Sequence, residues 1–424
     1  RPNTVVGAPP YPHFDVDGIW AFLLGGLAEL QALHAIDAIS VTTHGASGVL
    51  LDEGGGLATP VLDYEHTGPD TLAPAYDRLR PAFHETGSPR LPAGLNLGAQ
   101  IHWLFESQTG LESRTARVAT YPQFWSGRLS GKVRCDPSSL GAHTDLWAPH
   151  KGTFSTLVDT LGIGARMAPV APPDTCLGPV LPEIARAAGL SSEVQVHCGI
   201  HDSNASLLPH LIGRAPPYAV VSTGTWVISM AIGGRAVNLA PERDTLVNVD
   251  AMGRPVPSAR FMGGREYEML LGETAEPDTQ ATDAVLSRGL FVMPSIEPTS
   301  GPFQGLPGGW SDPGASAQEK YAALSFYLAL MTSECLGLIG ASGPIVVEGS
   351  FGRNALYLKM LEAATGRVAV VSGGATGTAT GAATLAGGRR GAIPAPDARS
   401  RDQSDGRLAD YAARWREAVS ESCG

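Results

Sequence analysis

The second half of the chain alternates apolar strand patterns with helix patterns, and this alternation restricts the fold more than any other feature. A long apolar helix pattern over Gln318–Ile339 precedes a strand at Ile345–Val347, a helix over Asn354–Thr365 and a strand at Val368–Val371. A helix of small residues follows around Thr376–Ala386. Strands that alternate with helices form sheets covered by helical layers. The sequence therefore predicts an α/β fold.

Shorter patterns predict further elements. Asp15 can cap a helix, and the apolar spacing after it predicts a helix over Asp15–Leu33. Tyr218–Met230 is an apolar run with a polar S-T-G-T centre, which predicts two strands joined by a tight turn. The other predicted elements are strands within Ala38–Thr43 and at Val49–Asp52 and Thr59–Leu62, and helices at Leu72–Arg80, Leu97–Ser107, Pro182–Ala188 and Asp410–Val419.

Composition excludes several classes of protein. The 424 residues are 43% hydrophobic and 17% charged, a balance that supports a large core and excludes wholesale disorder. The net charge of −11 disfavours general binding to nucleic acid or anionic membranes. Five dispersed cysteines without a C-x-x-C pair are typical of a reducing compartment and give no zinc-finger spacing. Because no uninterrupted apolar run reaches about 18 residues, we predict no transmembrane helix and a cytoplasmic location.

Four turns rich in glycine or hydroxyl residues each lie between a predicted strand and another element. They are Thr42–Gly48, Ser222–Thr225, Glu348–Asn354 and Ser372–Gly381. Phosphate oxygens need several N–H and O–H donors at short range, and small residues let the backbone approach them. Each turn alone is compatible with a structural role, but four in one chain favour a nucleotide or phosphate site. A P-loop enzyme is not indicated, because the G-x-x-x-x-G-K-S/T pattern is missing from the sequence.

The segment Gly199–Ser206, with the sequence G-I-H-D-S-N-A-S, is the second chemical signal. It follows an apolar strand pattern and precedes the apolar stretch Leu207–Ile212. An aspartate at such a junction can accept a hydroxyl proton, and the helix N-terminus favours its ionised form. Asp202 can equally be a simple helix cap. His197 and His201 leave open a metal-dependent hydrolase, although the sequence offers no obvious further ligands.

Taken in order, these motifs resemble the FGGY family of carbohydrate kinases. The resemblance covers nearly the whole chain and implies a two-domain actin–hexokinase-like (ribonuclease H-like) fold with the active site in an interdomain cleft. It also implies transfer of the γ-phosphoryl group of ATP to a sugar hydroxyl. The matching stretches are I-S-V-T-T-H-G-A-S-G-V-L-L-D from Ile39, Y-P-Q-F-W-S-G-R-L-S-G from Tyr121, G-I-H-D-S-N-A-S from Gly199, V-V-S-T-G-T-W from Val220, V-V-E-G-S-F-G-R-N-A-L-Y-L-K-M-L from Val346 and G-A-T-G-T-A-T-G-A-A from Gly374.

The resemblance implies roles for individual residues. Asp202 would be the general base that activates the sugar hydroxyl. The implied substrate-binding residues are His44, Gly45, Ser47, Glu65 and His201, with Asp63 beside them. The implied cofactor-binding residues are Thr223, Gly224, Thr225, Gly263, Gly264, Gly349, Ser350, Gly352 and Asn354. The implied cofactors are ATP and Mg²⁺, and the sequence does not identify protein ligands of the metal.

The predicted domain boundary lies near Gly213–Pro217, directly after the helix that begins at Asp202. It separates a sugar-side domain, residues 1–213, from a nucleotide-side domain, residues 214–424. We expect the two domains to close when substrates bind. The predicted partner is a small sugar, namely a ketose, a deoxyketose or a polyol, and the sequence leaves a homodimer open.

One family motif has no counterpart. FGGY kinases begin with a hairpin that carries an Asp-x-Gly-Thr/Ser phosphate turn, whereas Val6-Gly7-Ala8-Pro9 lacks the acid and the hydroxyl. Either the turn precedes the residue numbered 1, as the missing initiator Met suggests, or the chain is a non-catalytic sugar- or nucleotide-binding relative. His44 and Glu65 also differ from the residues of better-known members, so the sequence does not specify the sugar.

Overall fold

The computed structural model describes residues 4–272, 274–372, 377–387 and 406–422. Its helices are α1 (Val16–Leu33), α2 (Ala73–Leu79), α3 (Phe83–Thr86), α4 (Leu97–Ser107), α5 (Leu111–Arg114), α6 (Tyr121–Ser130), α7 (Pro137–Leu140), α8 (Thr156–Thr160), α9 (Pro182–Ala188), α10 (Asp202–Gly213), α11 (Gly263–Leu271), α12 (Thr279–Arg288), α13 (Ala317–Leu338), α14 (Ala355–Thr365), α15 (Gly377–Gly387) and α16 (Gly406–Ser422). Its strands are β1 (Val5–Val6), β2 (His13–Phe14), β3 (Ala38–Ile39), β4 (Thr42–Thr43), β5 (Gly48–Leu51), β6 (Arg117–Thr120), β7 (Trp147–Ala148), β8 (Thr153–Phe154), β9 (Cys176–Pro179), β10 (Gln195–His197), β11 (Ile200–His201), β12 (Tyr218–Thr223), β13 (Val227–Ile232), β14 (Thr245–Val249), β15 (Pro255–Phe261), β16 (Val292–Met293), β17 (Gly309–Trp310), β18 (Ile345–Gly349) and β19 (Ala369–Val371). Short 3-10 turns cover Gly68–Leu72, Gly164–Arg166, Pro241–Arg243 and Ser350–Arg353.

The described residues form two compact units. The first unit contains the chain up to Gly213, the segment Val247–Pro255 and helix α15. The second contains Arg214–Leu246, the described residues from 256 to 372 and helix α16. The unit boundary after Gly213 falls where the predicted 1–213 domain ends, and the first unit also takes in two later segments. The assignment of a sugar side and a nucleotide side to the chain stays a prediction.

In the first unit, strand pairing brings two polar segments together. Strand β11 runs parallel to β4, and His201 lies opposite Thr43. Because the carboxyl ends of parallel strands meet at one edge, the residues that follow, Asp202 and His44, become neighbours. The chain passes from β10 to β11 at Gly199, which has a φ of +90°. A Cβ at this position would lie 2.6 Å from the backbone oxygen of Val41, the residue before β4. Glycine meets both conditions without strain.

The second unit contains most of a six-stranded sheet in the order β14-β15-β13-β12-β18-β19. Strands β12 and β13 form the predicted antiparallel hairpin, and β12 pairs in parallel with β18. Helix α13 packs into this core, and its N-terminus carries a capping box between Ser316 and Glu319. Because Thr223 lies opposite Gly349 in the parallel pair, the turns that follow β12 and β18 meet at one sheet edge.

Most predicted elements are confirmed. Asp15 caps α1, since its Oδ1 accepts a hydrogen bond from the backbone N of Gly18 at 2.9 Å. The predicted strand at Thr59–Leu62 is wrong: of these four described residues only Leu62 pairs, in an isolated bridge with His13. Proline at position 60 lacks the N–H that a strand ladder needs.

Two helices, α1 and α13, are long and apolar enough to cross a membrane by length and composition alone. Helix α13 has 78% of its most apolar window buried, as expected for a core helix of a globular unit. In α1 only 6% of the window is buried, and Phe22, Leu30 and Leu33 are exposed. The expectation that the chain has no transmembrane helix therefore stays a prediction.

Candidate functional site

Asp202 is the first residue of α10 and directly follows β11. Its side chain is 43% exposed, so the carboxylate is open to a ligand and is not enclosed in the core. Oδ1 accepts a hydrogen bond from the backbone N of Ser203 at 2.6 Å. The position at a helix N-terminus stabilises the negative charge through the helix dipole.

A buried histidine contacts this carboxylate, and a buried asparagine contacts the histidine in turn. Nδ2 of Asn204 lies 3.2 Å from Nδ1 of His201, and Nε2 of His201 lies 3.3 Å from Oδ1 of Asp202. When the Asn204 amide donates to Nδ1, the imidazole carries its proton on Nε2, and this N–H donates to the carboxylate. His201 therefore fixes the orientation of the Asp202 carboxylate, and Asn204 fixes the orientation of His201. Catalytic bases are commonly oriented by a neighbouring group in this way.

The backbone beneath His201 is also anchored. Its N–H donates to Oγ of Ser138 at 3.3 Å, and Ser138 donates in turn to Oδ2 of the buried Asp136 at 2.5 Å. Burial raises the pKa of Asp136, and hydrogen bonds from Ser138 and Ser139 oppose that rise. A Cβ on Gly45 would lie 2.6 Å from Cδ2 of His201. Gly45, predicted to bind substrate, therefore makes room for the His201 ring.

His44 lies among three aromatic rings that the sequence reasoning did not assign to the site. Its ring centroid is 5.6 Å from that of Phe14, 5.1 Å from Tyr64 and 5.0 Å from Tyr121. Both ring nitrogens are buried and have no hydrogen-bond partner. Burial lowers the pKa of His44 to about 4, against the opposing effect of Asp202, so the ring is neutral at neutral pH. Unpaired buried polar groups cost about 1–3 kcal/mol each unless a ligand pairs with them.

Three carboxylates face the same region. Burial and then Glu65, Asp63 and Asp202 raise the pKa of Tyr64. Glu65 is exposed, and its backbone N donates to Oδ1 of Asp63 at 3.2 Å. Among the predicted residues, His44 contacts the Tyr64 ring and Glu65 follows Tyr64 in the chain. Asp202, which contacts His201, also raises the pKa of Tyr64. Ser47 is fully buried, and its hydroxyl has no hydrogen-bond partner.

In the second unit, several predicted cofactor residues serve the packing of adjacent turns. The Thr223 hydroxyl donates to the carbonyl of Glu348 at 2.5 Å and accepts from the backbone N of Phe351 at 3.1 Å. Gly349 has a φ of +88°, and a Cβ there would overlap the carbonyl oxygen of Thr223. These contacts clamp the turn after β12 to the turn after β18.

Glycines in the turn after β15 are also packed tightly against a neighbouring turn. A Cβ on Gly264 would overlap the carbonyl oxygen of Gly224, and one on Gly263 would lie 2.6 Å from Cγ2 of Val227. The backbone N of Gly264 donates to the carbonyl of Thr225 at 3.1 Å. These glycines are therefore required by the close approach of the two turns.

Other predicted cofactor residues remain open to a ligand. Gly224, Thr225 and Ser350 are exposed. A Cβ on Gly224 would have no neighbour closer than 3.9 Å, so nothing in the fold itself demands glycine there. A glycine with free space in front of it suits the close approach of a phosphate to the backbone.

A cavity of about 770 Å³ in the second unit is lined by Arg353, Asn354, Tyr321 and Lys359, among others. Asn354 is held rigidly there, because its Oδ1 accepts from the backbone N of Tyr357 at 3.1 Å and its Nδ2 donates to Ser325 at 2.9 Å. The volume lies within the range of small-molecule and cofactor sites. Gly352 is buried behind the turn, where a Cβ would lie 2.9 Å from a side-chain carbon of β19.

The fourth predicted turn, Ser372–Gly381, has a packing role in its described part. Residues 373–376 lie outside the described residues. A Cβ on Gly381 would overlap the carbonyl oxygen of Ala205, and Oγ of Ser206 lies 2.7 Å from Oγ1 of Thr378. Helix α15 therefore packs closely against α10, the helix that begins with Asp202.

A metal-dependent hydrolase gains no support from the described residues. Among them, no group of three or more His, Cys, Asp or Glu side chains is arranged to hold a metal ion. Nδ1 of His197 is 2.9 Å from the carbonyl oxygen of Asp174, and His201 is engaged by Asn204 and Asp202.

Comparisons with known proteins identify the family and the fold of the chain. Residues 215–395 match the family model described as "Carbohydrate kinase FGGY, C-terminal domain". A carbohydrate kinase from Novosphingobium aromaticivorans is 35% identical, with a TM-score of 0.89 over 99% of this chain and 94% of that one. The xylulose kinase from Rhodospirillum rubrum is 20% identical, with a TM-score of 0.79 over 99% of this chain and 92% of that one.

A curated relative gives a shorter match. The L-fuculokinase of Salmonella typhi is 26% identical over 203 residues, which are 47% of this chain and 42% of the relative. The match thus spans less than half of the L-fuculokinase. The structural matches confirm the predicted α/β, actin–hexokinase-like fold class.

Proposed function

The chain belongs to the FGGY family of carbohydrate kinases, and on that premise we propose that it transfers the γ-phosphoryl group of ATP to a hydroxyl of a ketose, deoxyketose or polyol. One observation carries the proposal: the accessible carboxylate of Asp202 contacts His201, whose ring is in turn contacted by the Asn204 amide. The next strand over, β4, is followed by His44, which is neutral and has no hydrogen-bond partner. Such a set offers a base and neighbouring hydrogen-bond partners to a polyhydroxyl ligand.

In the proposed reaction, Asp202 accepts the proton of the sugar hydroxyl as that oxygen attacks the γ-phosphorus of ATP. The bond between the γ-phosphorus and the bridging oxygen breaks, and ADP leaves. Because the transition state is loose, positioning and charge neutralisation contribute more than covalent chemistry. The Nε2–H of His201 keeps the carboxylate in one orientation, and the Asn204 amide keeps the imidazole in the required tautomer.

On the nucleotide side, we propose that the exposed Gly224, Thr225 and Ser350 contact phosphate oxygens. The cavity beside Arg353 and Asn354 would take the nucleoside. Mg²⁺, when bound with ATP, would neutralise charge on the phosphates.

The test is a sugar-dependent kinase assay with the purified protein and MgATP. We expect a panel of ketoses, deoxyketoses and polyols to contain a compound that raises ADP release above the sugar-free rate. Mass spectrometry should then find a sugar phosphate in an amount equal to the ADP.

A protein that binds both sugar and ATP in calorimetry, yet forms no phosphorylated product, would instead be a non-catalytic binding relative. A homodimer and a cytoplasmic location stay predictions. Light scattering during size-exclusion chromatography measures the first of these directly.

A further inference from the structure

The second unit contains a cavity whose charged lining is mainly cationic. It has a volume of about 590 Å³, and its charged residues are Arg235, Arg367, Arg416 and Glu334. We call it the arginine cavity. The cavity beside Asn354 differs, because three cationic and four acidic side chains line it. In a chain with a net charge of −11, this excess of arginine is a local feature. Positive charge around a concave site raises the local concentration of anions.

The arginine cavity lies at the sheet edge where the parallel strands of the second unit begin. Its lining residues Gly343 and Arg367 each stand two positions before a strand, β18 and β19 respectively. The predicted cofactor turns follow the other ends of β12 and β18. Strand β18 has five residues and is therefore about 17 Å long. Among the described residues, the arginine cavity shares no lining residue with the cavity beside Asn354, so it is separate from the predicted nucleotide site.

Arg367 is half-buried and is held in place by backbone carbonyls alone. Its side chain donates to three successive carbonyls, those of Ala341, Ser342 and Gly343, at 3.4, 3.1 and 2.6 Å. Burial lowers the pKa of Arg367, and no carboxylate among the described residues opposes this effect. Carbonyls orient the guanidinium but do not neutralise it, so its positive charge and its remaining N–H groups are available to an anion.

The two other arginines of the cavity also keep donors free. The backbone N of Arg235 donates to the carbonyl of Gly340 at 2.8 Å, whereas its exposed guanidinium has no hydrogen bond or ion pair with the described residues. In Arg416, Nε donates to Glu334 at 2.7 Å, and Nη2 donates to the carbonyl of Ala364 at 3.1 Å. Capping of the last turn of α14 explains the bond to Ala364, but it gives no role to the guanidinium of Arg235.

We propose that the arginine cavity is a second binding site, separate from the kinase site, for a small molecule that carries phosphate. Guanidinium groups bind phosphate oxygens through pairs of N–H donors, and Arg235 and Arg367 retain such donors. The volume lies in the range of small-molecule sites, so the cavity admits a phosphorylated organic compound as well as inorganic phosphate. A Cβ on Gly337 of α13 would meet nothing within 4 Å, which leaves this wall open. The proposal does not depend on the kinase reaction.

The experiment is calorimetric titration of the whole chain, without ATP or sugar substrate, with inorganic phosphate, pyrophosphate and ribose 5-phosphate. We expect saturable binding of at least one probe, weakened by added salt because the attraction is electrostatic. Tighter binding of ribose 5-phosphate would identify a phosphorylated sugar as the ligand class, and tighter binding of the two other probes would identify free phosphate. No saturable binding of any probe up to about 10 mM would overturn the proposal.

Three variants connect the binding to the arginine cavity. Arg235→Gln removes a charge that has no described partner, so the fold should be unaffected, and Kd should rise about tenfold or more. Glu334→Gln removes the one carboxylate of the lining and should lower Kd about threefold or more. Tighter binding in Glu334→Gln is a result that a purely structural role of the cavity would not give. Arg288→Gln is the matched control, since Arg288 is an exposed arginine of the second unit outside the cavity. Its Kd should equal that of the parent.

Two results would contradict the assignment. Equal losses of affinity in Arg235→Gln and Arg288→Gln would show that the probe responds to overall charge and not to the cavity. An affinity that is unchanged in Arg235→Gln but lost in Thr225→Val would place the phosphate at the turn after β12. That result would remove the second site and leave the kinase proposal intact.

Discussion

The two groups of predicted site residues, one in each unit, use their polar side chains in opposite ways. In the first unit, the buried nitrogens of His44 and the hydroxyl of Ser47 have no protein partner. In the second unit, Thr223 and Asn354 form hydrogen bonds within the protein. Thr223 bonds to the end of β18 and the turn after it, and Asn354 bonds to α13 and α14. Polar groups of the first unit thus lack protein partners, whereas those of the second unit hold neighbouring turns together.

This difference teaches how each half should respond to substitution. On the sugar side, a changed side chain should alter substrate affinity or turnover while the free protein stays folded. On the nucleotide side, changes at the clamped turns should first reduce stability, and ATP binding should follow that loss. Only the exposed Gly224, Thr225 and Ser350 should affect the nucleotide without affecting the fold.

The largest effect is expected on the sugar side, for Asp202→Asn. The amide keeps the size of the side chain but cannot accept the hydroxyl proton, so kcat should fall by about 10²–10⁴-fold. Calorimetry should find ATP bound as tightly as by the parent protein. The matched control is Asp63→Asn, which removes the same charge from the same region without removing the base. It should change KM more than kcat, and equal losses of kcat in both variants would assign the effect of Asp202 to charge alone.

Helices and strands with strong periodicity were predictable from the sequence, and so was the placement of Asp202 at the start of α10. The packing of Phe14, Tyr64 and Tyr121 around His44 was not predictable, because these three residues come from distant segments of the chain. The adjacency of Tyr64 to Asp63 and Glu65 was the one local signal.

The sequence also did not distinguish two kinds of glycine. Gly264 is required by a neighbouring carbonyl, whereas Gly224 has open space in front of it. The resemblance implies a cofactor-binding role for both glycines, and the difference between them lies in what packs against them across the fold.

The next largest effect is expected in the second unit, for Gly349→Ala. The substitution places a Cβ onto the carbonyl oxygen of Thr223 in a residue with a φ of +88°. Steric overlap and strain together should lower the free energy of unfolding by about 3–4 kcal/mol. Urea denaturation measures this loss.

Gly224→Ala is the matched control, since its Cβ would meet nothing closer than 3.9 Å. It should leave the free energy of unfolding within about 0.5 kcal/mol of the parent, while the KM for ATP rises. If Gly224→Ala unfolded as readily as Gly349→Ala, the division between clamped and open glycines would be wrong.

A smaller loss of stability is expected for Thr223→Val. This change keeps the shape of the side chain but leaves the backbone N of Phe351 and the carbonyl of Glu348 without their hydroxyl partner. We expect the free energy of unfolding to fall by about 2–3 kcal/mol. Thr225→Val, at an exposed hydroxyl, should be nearly neutral in urea denaturation and should act on the KM for ATP. Equal stability of the two variants would show that Thr223 does not clamp the turns.

The smallest expected effects are on the pH dependence of the free energy of unfolding, and their sign differs between the two units. Glu266 on α11 is fully buried; its Oε2 accepts from Tyr327 at 2.9 Å and its Oε1 from the backbone N of Glu297 at 3.1 Å. Burial raises its pKa to about 7. The folded state therefore binds this proton more tightly than the unfolded state, and the stabilisation is lost as pH rises through about 7. For His44, whose pKa is lowered to about 4, stabilisation is instead lost as pH falls below the ordinary histidine value.

Glu266→Gln should therefore remove a stabilisation of about 1–2 kcal/mol at pH 5.5 relative to pH 7.5, so that the variant gains less from acid than the parent does. His44→Phe should have the opposite effect: its free energy of unfolding should fall less between pH 7.5 and pH 5.5 than that of the parent. Urea denaturation of both variants and the parent at the two pH values measures these changes. If Glu266→Gln retained the full pH dependence of the parent, the proton would belong to another group. The two units would then not be distinguished by the pH dependence of their stability.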